Sequence, residues 1–425
     1  MKPREAAFRV VYDVLYKEGY STIVLENIRN RNDISGLDSS FMTTIAMGTL
    51  RNSIYLEKVI AQFSDIKLKK ISPSVMTALK TGIYQLLFMD RVPDSAACNE
   101  TVKIAGKFGG NRSRGFVNAL MRNIAKNKSG ISAVSGVTDE LERLSIQYSF
   151  SIEAVHDMAR VHGTDQTEVI MKALNEPPSL CIRKNTDADI EGVMNEEGID
   201  FEKGLHSQNS YYITPGKDLA GTALFREGSA AVQDEGAQEM VEFLNPMKGE
   251  KVLDTCAAPG GKTAYINFLI KGKPAVTAYD IDAGRIRRMR ENLERLGASN
   301  VRTEQRDMTK HEAEAEEKYD ALLLDVPCSG LGTAQRRPEI KLRYKGGNSD
   351  LYRIQSNILD NSIGYLKKGG RIVYGTCTLV DEENGGIIRQ FIEKHPEFIM
   401  NKEKTILPDG KRGGFYMAEL VRHES

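Results

Sequence analysis

The chain has 425 residues, with 58 Lys and Arg balancing 58 Asp and Glu for a formal net charge of +0 and a pI near 7.0. That length suffices for two or three domains with their own cores. The charge balance excludes a uniformly basic, nucleic-acid-coating protein, so any basic surface must be local.

Met1-Lys2-Pro3-Arg4-Glu5 runs directly into an amphipathic helical pattern instead of a secretory leader, and no uncharged apolar stretch is long enough to cross a bilayer. A cytoplasmic protein without membrane contact is the expectation. The five cysteines, Cys98, Cys181, Cys256, Cys328 and Cys377, have neither metal-type nor disulfide-type spacing, which fits a reducing compartment. His156, His162, His206 and His311 also lie in no ligand spacing, so no metal site is expected.

Residues 1–127 read as an all-α bundle. Ala6 to Leu15, Phe41 to Leu50, Val75 to Met89 and Gly115 to Arg122 each place apolar side chains on one face at helical spacing. Residues 128–240 read as a small α+β connector: Asn175-Glu176-Pro177-Pro178 stops a helix, and Leu180 to Arg183 and Tyr211 to Thr214 are strand-like.

From 241 to 425 strands and helices alternate. Lys251–Thr255, Val276–Tyr279, Leu322–Asp325 and Arg371–Tyr374 are strand-like, with helical stretches at Thr263–Ile270, Arg285–Leu296 and within Leu351–Leu366. This interval predicts right-handed βαβ units and a doubly wound, Rossmann-like α/β domain.

The first strand of that domain runs into Cys256-Ala257-Ala258-Pro259-Gly260-Gly261-Lys262-Thr263. Glycines at such a turn let backbone amides approach a ligand at a helix N-terminus. A Walker A loop would need Gly where Cys256 stands, and the dinucleotide pattern G-x-G-x-x-G is absent. An S-adenosylmethionine loop remains, supported by Asp280 after the second strand, suited to ribose hydroxyls, and by Asp307 after the third. Either aspartate alone would read as a strand-end cap; the ordered series favours the cofactor.

Cys328, in Asp325-Val326-Pro327-Cys328-Ser329-Gly330, and Cys377, in Tyr374-Gly375-Thr376-Cys377-Thr378, each follow an apolar run. Both should emerge at carboxyl ends of parallel strands, where open α/β sheets bind ligands. A thiolate adding to carbon 6 of cytosine turns carbon 5 into an enamine-like donor that a sulfonium methyl can trap, and a second thiol suits the release step. Asp325 is placed to assist at ring nitrogen 3. Cys98 and Cys181 read as buried apolar side chains, and Cys256 as packing.

Asp325 to Thr333, Tyr374 to Thr378 and Cys256 to Thr263 resemble the three signature motifs of the Sun/RsmB-type RNA cytosine-carbon-5 methyltransferases. Pro3 to Ala7, Arg91 to Glu100 and Gly115 to Arg122 resemble the NusB-like RNA-binding domain in front of such enzymes, and Gly413 to Leu420 their closing strand. The resemblance implies a NusB-like bundle, a connector and a class I methyltransferase domain. It further implies Cys377 as nucleophile, Cys328 as release residue, and S-adenosylmethionine held by Cys256, Ala257, Ala258, Pro259, Gly260, Gly261, Lys262, Asp280, Asp307 and Asp325. Asp325 would also lie beside the target base.

The implied substrate is small-subunit ribosomal RNA, with no obligate protein partner evident. A transfer-RNA methyltransferase and a non-catalytic RNA-binding factor are the alternatives. Leu342 stands where the family commonly has Trp and Thr378 where it has Ser, both expected away from the reacting atoms. Arg336, Arg337, Lys341, Arg343 and Lys345 are read as phosphate contacts beside the pocket, and Arg287, Arg288 and Arg290 as a solvated helix face. Lys67, Lys69, Lys70, Lys103, Lys107, Arg112 and Arg114 form a candidate second RNA surface.

Overall fold

The computed structural model describes residues 1–214, 219–311 and 317–423. They form two compact units, one of Met1–Asn175 with Ala334–Gly346, the other of Glu176–Thr333 with Gly347–Ser425.

The first unit is helical, and its helices continue past residue 127 to Thr164–Asn175. Helices Pro3–Tyr16 and Pro73–Phe88 both begin with Pro at the first position, where a missing N–H costs nothing; Ser72 accepts a bond from Val75 N–H at the second start. Helix Pro73–Phe88 is the most enclosed, with Val75, Met76, Ala78, Leu79, Ile83 and Leu86 in one core. A second core joins Ala6, Ala7, Val10, Val11 and Val14 to Met42, Ile45, Ala46 and Leu50.

The segment Ala334–Gly346 lies among these helix ends, and its charges complement them. Lys341 Nζ donates to Arg51 O at 2.8 Å, to Tyr148 O at 2.5 Å and to Asn175 Oδ1, so it meets the carboxyl termini of helices Gly36–Arg51 and Glu140–Tyr148. Arg343 donates to Val14 O and Gly19 O, at 2.5 and 2.8 Å, at the end of the first helix. Glu339 Oε1 accepts from Ser21 N–H, 3.0 Å away, at the start of helix Ser21–Arg31. Donors thus sit on carbonyls and an acceptor on an amide at helix ends, where backbone groups lack intrahelical partners. Lys341 and Arg343 were expected on RNA phosphates; their donors are spent inside the protein, and Lys341 is fully buried. In the candidate second surface, Lys103 pairs with Glu100 and Lys107 with Glu5, while Lys67, Lys69 and Lys70 are exposed.

The second unit contains two sheets. Strands β1 (Leu180–Lys184), β2 (Phe201–Lys203), β3 (Ser210–Ile213) and β4 (Ala230–Val232) form an antiparallel sheet in the order β2-β3-β1-β4. The larger sheet comprises β5 (Val252–Asp254), β6 (Thr277–Asp280), β7 (Arg302–Gln305), β8 (Tyr319–Asp325), β9 (Leu366–Thr376), β10 (Phe398–Ile406) and β11 (Phe415–Arg422). Its order is β10-β11-β9-β8-β5-β6-β7, with β5 to β9 mutually parallel, β11 antiparallel to β9, and β10 antiparallel to β11. The winding direction reverses between β5 and β8, and ligands of such sheets bind outside the strand ends at that switch. Burial explains the strand choice: Leu322, Leu323 and Leu324 are enclosed on both faces, as a central parallel strand must be.

Candidate active site

The candidate site residues gather at the carboxyl ends of β5, β8 and β9. Cys328 and Cys377 leave β8 and β9 in adjacent loops, and their sulfurs are 3.3 Å apart. Cys377 N–H donates to Cys328 Sγ at 3.3 Å, and the next residues are joined too, Ser329 Oγ lying 2.8 Å from Thr378 Oγ1. Thr378 thus ties the two cysteine loops together. A shared hydrogen bond with Cys377, then burial, hold the Cys328 thiol well above the usual thiol range.

Asp325 ends β8, and its Oδ2 accepts from Lys262 Nζ at 2.6 Å. Burial lowers the lysine's proton affinity, but the charge and hydrogen bond of Asp325 outweigh this and keep the ammonium. Lys262 also lies within electrostatic reach of Cys377, which adds to holding the lysine's proton.

The loop after β5 is held from several sides. Ala257 N–H donates to Tyr279 O at 2.8 Å, and Ala258 N–H to Asp280 Oδ2 at 3.1 Å. Ala258 O accepts from Arg285 at 2.7 Å, and Pro259 O from Asn292 at 3.0 Å. Gly260 has φ +92°, and a Cβ there would approach Met289 Cγ to 2.8 Å, so both conformation and space require glycine. Gly261 opens helix Gly261–Leu269. Cys256 packs against the core, and burial pushes its thiol up to about 12, consistent with a packing role.

Asp254, at the end of β5, was not among the residues singled out from sequence. It is fully buried; Oδ2 accepts from Thr263 Oγ1 at 2.7 Å, but Oδ1 has no hydrogen-bond partner. Burial pushes its carboxyl up to about 7. A buried carboxylate oxygen without a donor, beside glycines that leave the loop surface open, fits a ligand carrying an ammonium group, as S-adenosylmethionine does. Asp280 can serve the ribose from the end of β6, where it already anchors Ala258 and Arg285. Asp307 bonds with Thr309 and Lys310 of its own turn, the Thr309 hydroxyl first among the causes holding its carboxyl low. It is not brought into contact with the other site residues by any of these bonds. No group of His, Cys, Asp or Glu among the described residues has an arrangement suited to a metal ion.

Gly332 and Gly414 explain how the loops approach. Gly332 N–H donates to Cys377 O at 3.0 Å, and Gly414 N–H to Gly332 O at 2.8 Å. A Cβ on Gly332 would stand 2.1 Å from Gly414 O.

Two families match this chain: residues 241–421 match the one described as 16S rRNA methyltransferase RsmB/F, and residues 1–126 the NusB family. A Bacillus subtilis protein named probable ribosomal RNA small subunit methyltransferase B is 33% identical over 93% of this chain and 89% of its own length. The chain belongs to the RsmB family. A Photorhabdus laumondii member, ribosomal RNA small subunit methyltransferase B, is 32% identical, with 92% of each chain covered.

Among solved structures, the protein described as PH0851 superimposes with a TM-score of 0.81 at 25% identity over 99% of both chains. NSun6 from Pyrococcus horikoshii, solved with SFG, gives 0.59 at 23% identity over 65% of this chain and 99% of its own, a likeness of fold. Membership in the RsmB family makes this chain an S-adenosylmethionine-dependent RNA methyltransferase with a NusB domain in front. No helix among the described residues is long and apolar enough to cross a membrane.

Proposed function

We propose that the protein methylates carbon 5 of a cytosine in small-subunit ribosomal RNA, through a reversible bond between Cys377 Sγ and carbon 6 of the base. The observation carrying this reading is the pair of cysteine sulfurs, 3.3 Å apart at neighbouring strand ends. One thiol adds while the other retains its proton. Attack by the Cys377 thiolate forms the S–C6 bond and moves the C5=C6 electrons toward the ring, where nitrogen 3 gains a proton. Asp325 was expected to assist at nitrogen 3; with Lys262 Nζ on its Oδ2, the Lys262 ammonium of that pair is the group with a proton to give. S-adenosylmethionine, when bound, supplies the electrophilic methyl group. Cys256 to Lys262, Asp280, Asp307 and Asp325 are the residues assigned to holding it, and Asp254 joins them.

Release needs a base for the carbon-5 proton, after which the C5=C6 bond re-forms and Cys377 departs as thiolate. The leading causes of the raised Cys328 proton affinity are its hydrogen bond to Cys377 and burial, with the charge of Cys377 next. Once Cys377 is bonded to carbon the shared hydrogen bond and that charge are gone, so Cys328 gives its own proton to solvent more easily and, as a thiolate, takes the carbon-5 proton. The base must leave its stack to reach this pocket, so an unpaired or flipped cytosine is the substrate form.

The test uses labelled S-adenosylmethionine with unmodified small-subunit ribosomal RNA and transfer RNA, comparing Cys377→Ala and Cys328→Ala. Label on ribosomal RNA, its loss without trapping in Cys377→Ala, and a protein–RNA adduct in Cys328→Ala are expected. Label on transfer RNA alone overturns the ribosomal assignment, no label on any RNA favours a binding factor, and trapping by Cys377→Ala instead reverses the two roles.

A further inference from the structure

The two cysteine loops are held by two side chains adjacent in sequence, Glu383 and Asn384, both buried immediately beyond the Cys377 loop. Glu383 serves Cys328. Its Oε2 accepts from Ser329 N–H at 2.8 Å and from Gln355 Nε2 at 3.0 Å, and the same Gln355 nitrogen donates to Pro327 O at 2.9 Å. The peptide groups on either side of Cys328 therefore end on one carboxylate–amide pair. Tyr374 Oη fixes that carboxylate's own backbone by donating to Glu383 O at 2.7 Å.

Asn384 serves Cys377 in the same way. Its Oδ1 accepts from Thr376 Oγ1 at 2.6 Å, and its Nδ2 donates to Thr378 O at 3.1 Å, so residues on both sides of Cys377 are gripped by one amide. Neither residue was singled out from sequence. A short turn, Asp381–Glu383, points consecutive side chains to different loops.

We propose that Glu383 and Asn384 are positioning residues that aim the two thiols separately, Asn384 setting Cys377 for addition to the base and Glu383 setting Cys328 for release. This rests on the covalent reading above. Thiol attack and proton removal each need a particular angle at the same ring, and the sulfurs touch, so a shift of one loop alone would spoil one step and spare the other. A displacement of about 1 Å can cost about 100-fold in rate.

The experiment measures three quantities for each variant: S-adenosylmethionine affinity, protein–RNA adduct on denaturing gels, and methylated product. Glu383→Ala should accumulate adduct as Cys328→Ala does while product falls, and Glu383→Gln, whose amide oxygen can still accept from Ser329, should restore release. Gln355→Met, which keeps the volume but loses both donated bonds, should shift in the same direction and guards against misfolding of Glu383→Ala. Asn384→Ala should form adduct more slowly, and adding it to Cys328→Ala should reduce the trapped amount. Adduct and product falling in parallel in both single variants, or no rescue by Glu383→Gln, overturns the assignment. If Cys328→Ala traps and Glu383→Ala and Gln355→Met do not, only the positioning role of Glu383 fails; if Cys328→Ala traps nothing, the covalent reading fails and this proposal with it.

Discussion

Replacing Asp254 by Asn removes a buried carboxyl that titrates at about 7 in the folded chain because burial outweighs its Thr263 hydrogen bond. In the unfolded chain the same group titrates near ~3.9, and about three units at 1.36 kcal/mol each amount to about 4 kcal/mol. The direction follows from the proton count: between those two values the folded state holds the proton and the unfolded state has lost it. Stability without cofactor therefore falls as pH rises through that window, the full penalty applies above pH 7, and it vanishes where both states are protonated. Asn carries no such penalty and can still accept from Thr263. Asp254→Asn should thus be close to wild type in acid and gain on it by about 2–3 kcal/mol between roughly pH 5 and pH 8. S-adenosylmethionine should bind the variant more weakly. The chain has no Trp, so urea unfolding followed by far-UV circular dichroism at both pH values is the suitable assay. A stability difference that does not change with pH would refute the reasoning.

Gly332→Ala should lose activity with a stability cost of about 1–3 kcal/mol, because the new methyl would meet Gly414 O at 2.1 Å and push the strand of bonds leading to Cys377 O. Methylation and thermal unfolding measured together check this, and normal activity would contradict it. Lys341→Met should destabilise the helical unit by about 3–5 kcal/mol, since three acceptors lose their shared donor, although burial already pushes the proton affinity of that lysine well down and its removal relieves this cost. Urea unfolding reads the loss; a change below about 1 kcal/mol would mean that the removed charge offsets the bonds almost fully.

The cysteine pair was legible in sequence because a thiol just beyond an apolar parallel run has only one place to go, the ligand-binding edge of the sheet. The turn after β5 was legible for the same reason, with glycines marking where backbone must turn. Asp254 was not: an aspartate at a strand end looks alike whether it caps a helix or waits for a ligand, and only the partnerless oxygen separates the two. Glu383 and Asn384 depend on contacts from Gln355 and the cysteine loops that spacing does not encode. Lys341 and Arg343 were misread because five basic residues beside a pocket look like phosphate contacts, whereas the carbonyls that claim them come from helix ends far back in the chain. Strand β10 escaped notice because Met400 to Thr405 is charged and exposed, the composition of an edge strand protected against further pairing.

The placement of Ala334–Gly346 has a consequence for biosynthesis. On the ribosome, residues 1–175 are made first, but the peptide that covers the ends of their helices arrives only after residues 176–333 have been translated. Until then Lys341 and Glu339 are missing from the carbonyls of Arg51 and Tyr148 and from the amide of Ser21. The helical unit is consequently completed late, and a nascent chain halted at Thr333 would carry its entire amino-terminal half without the piece that finishes it.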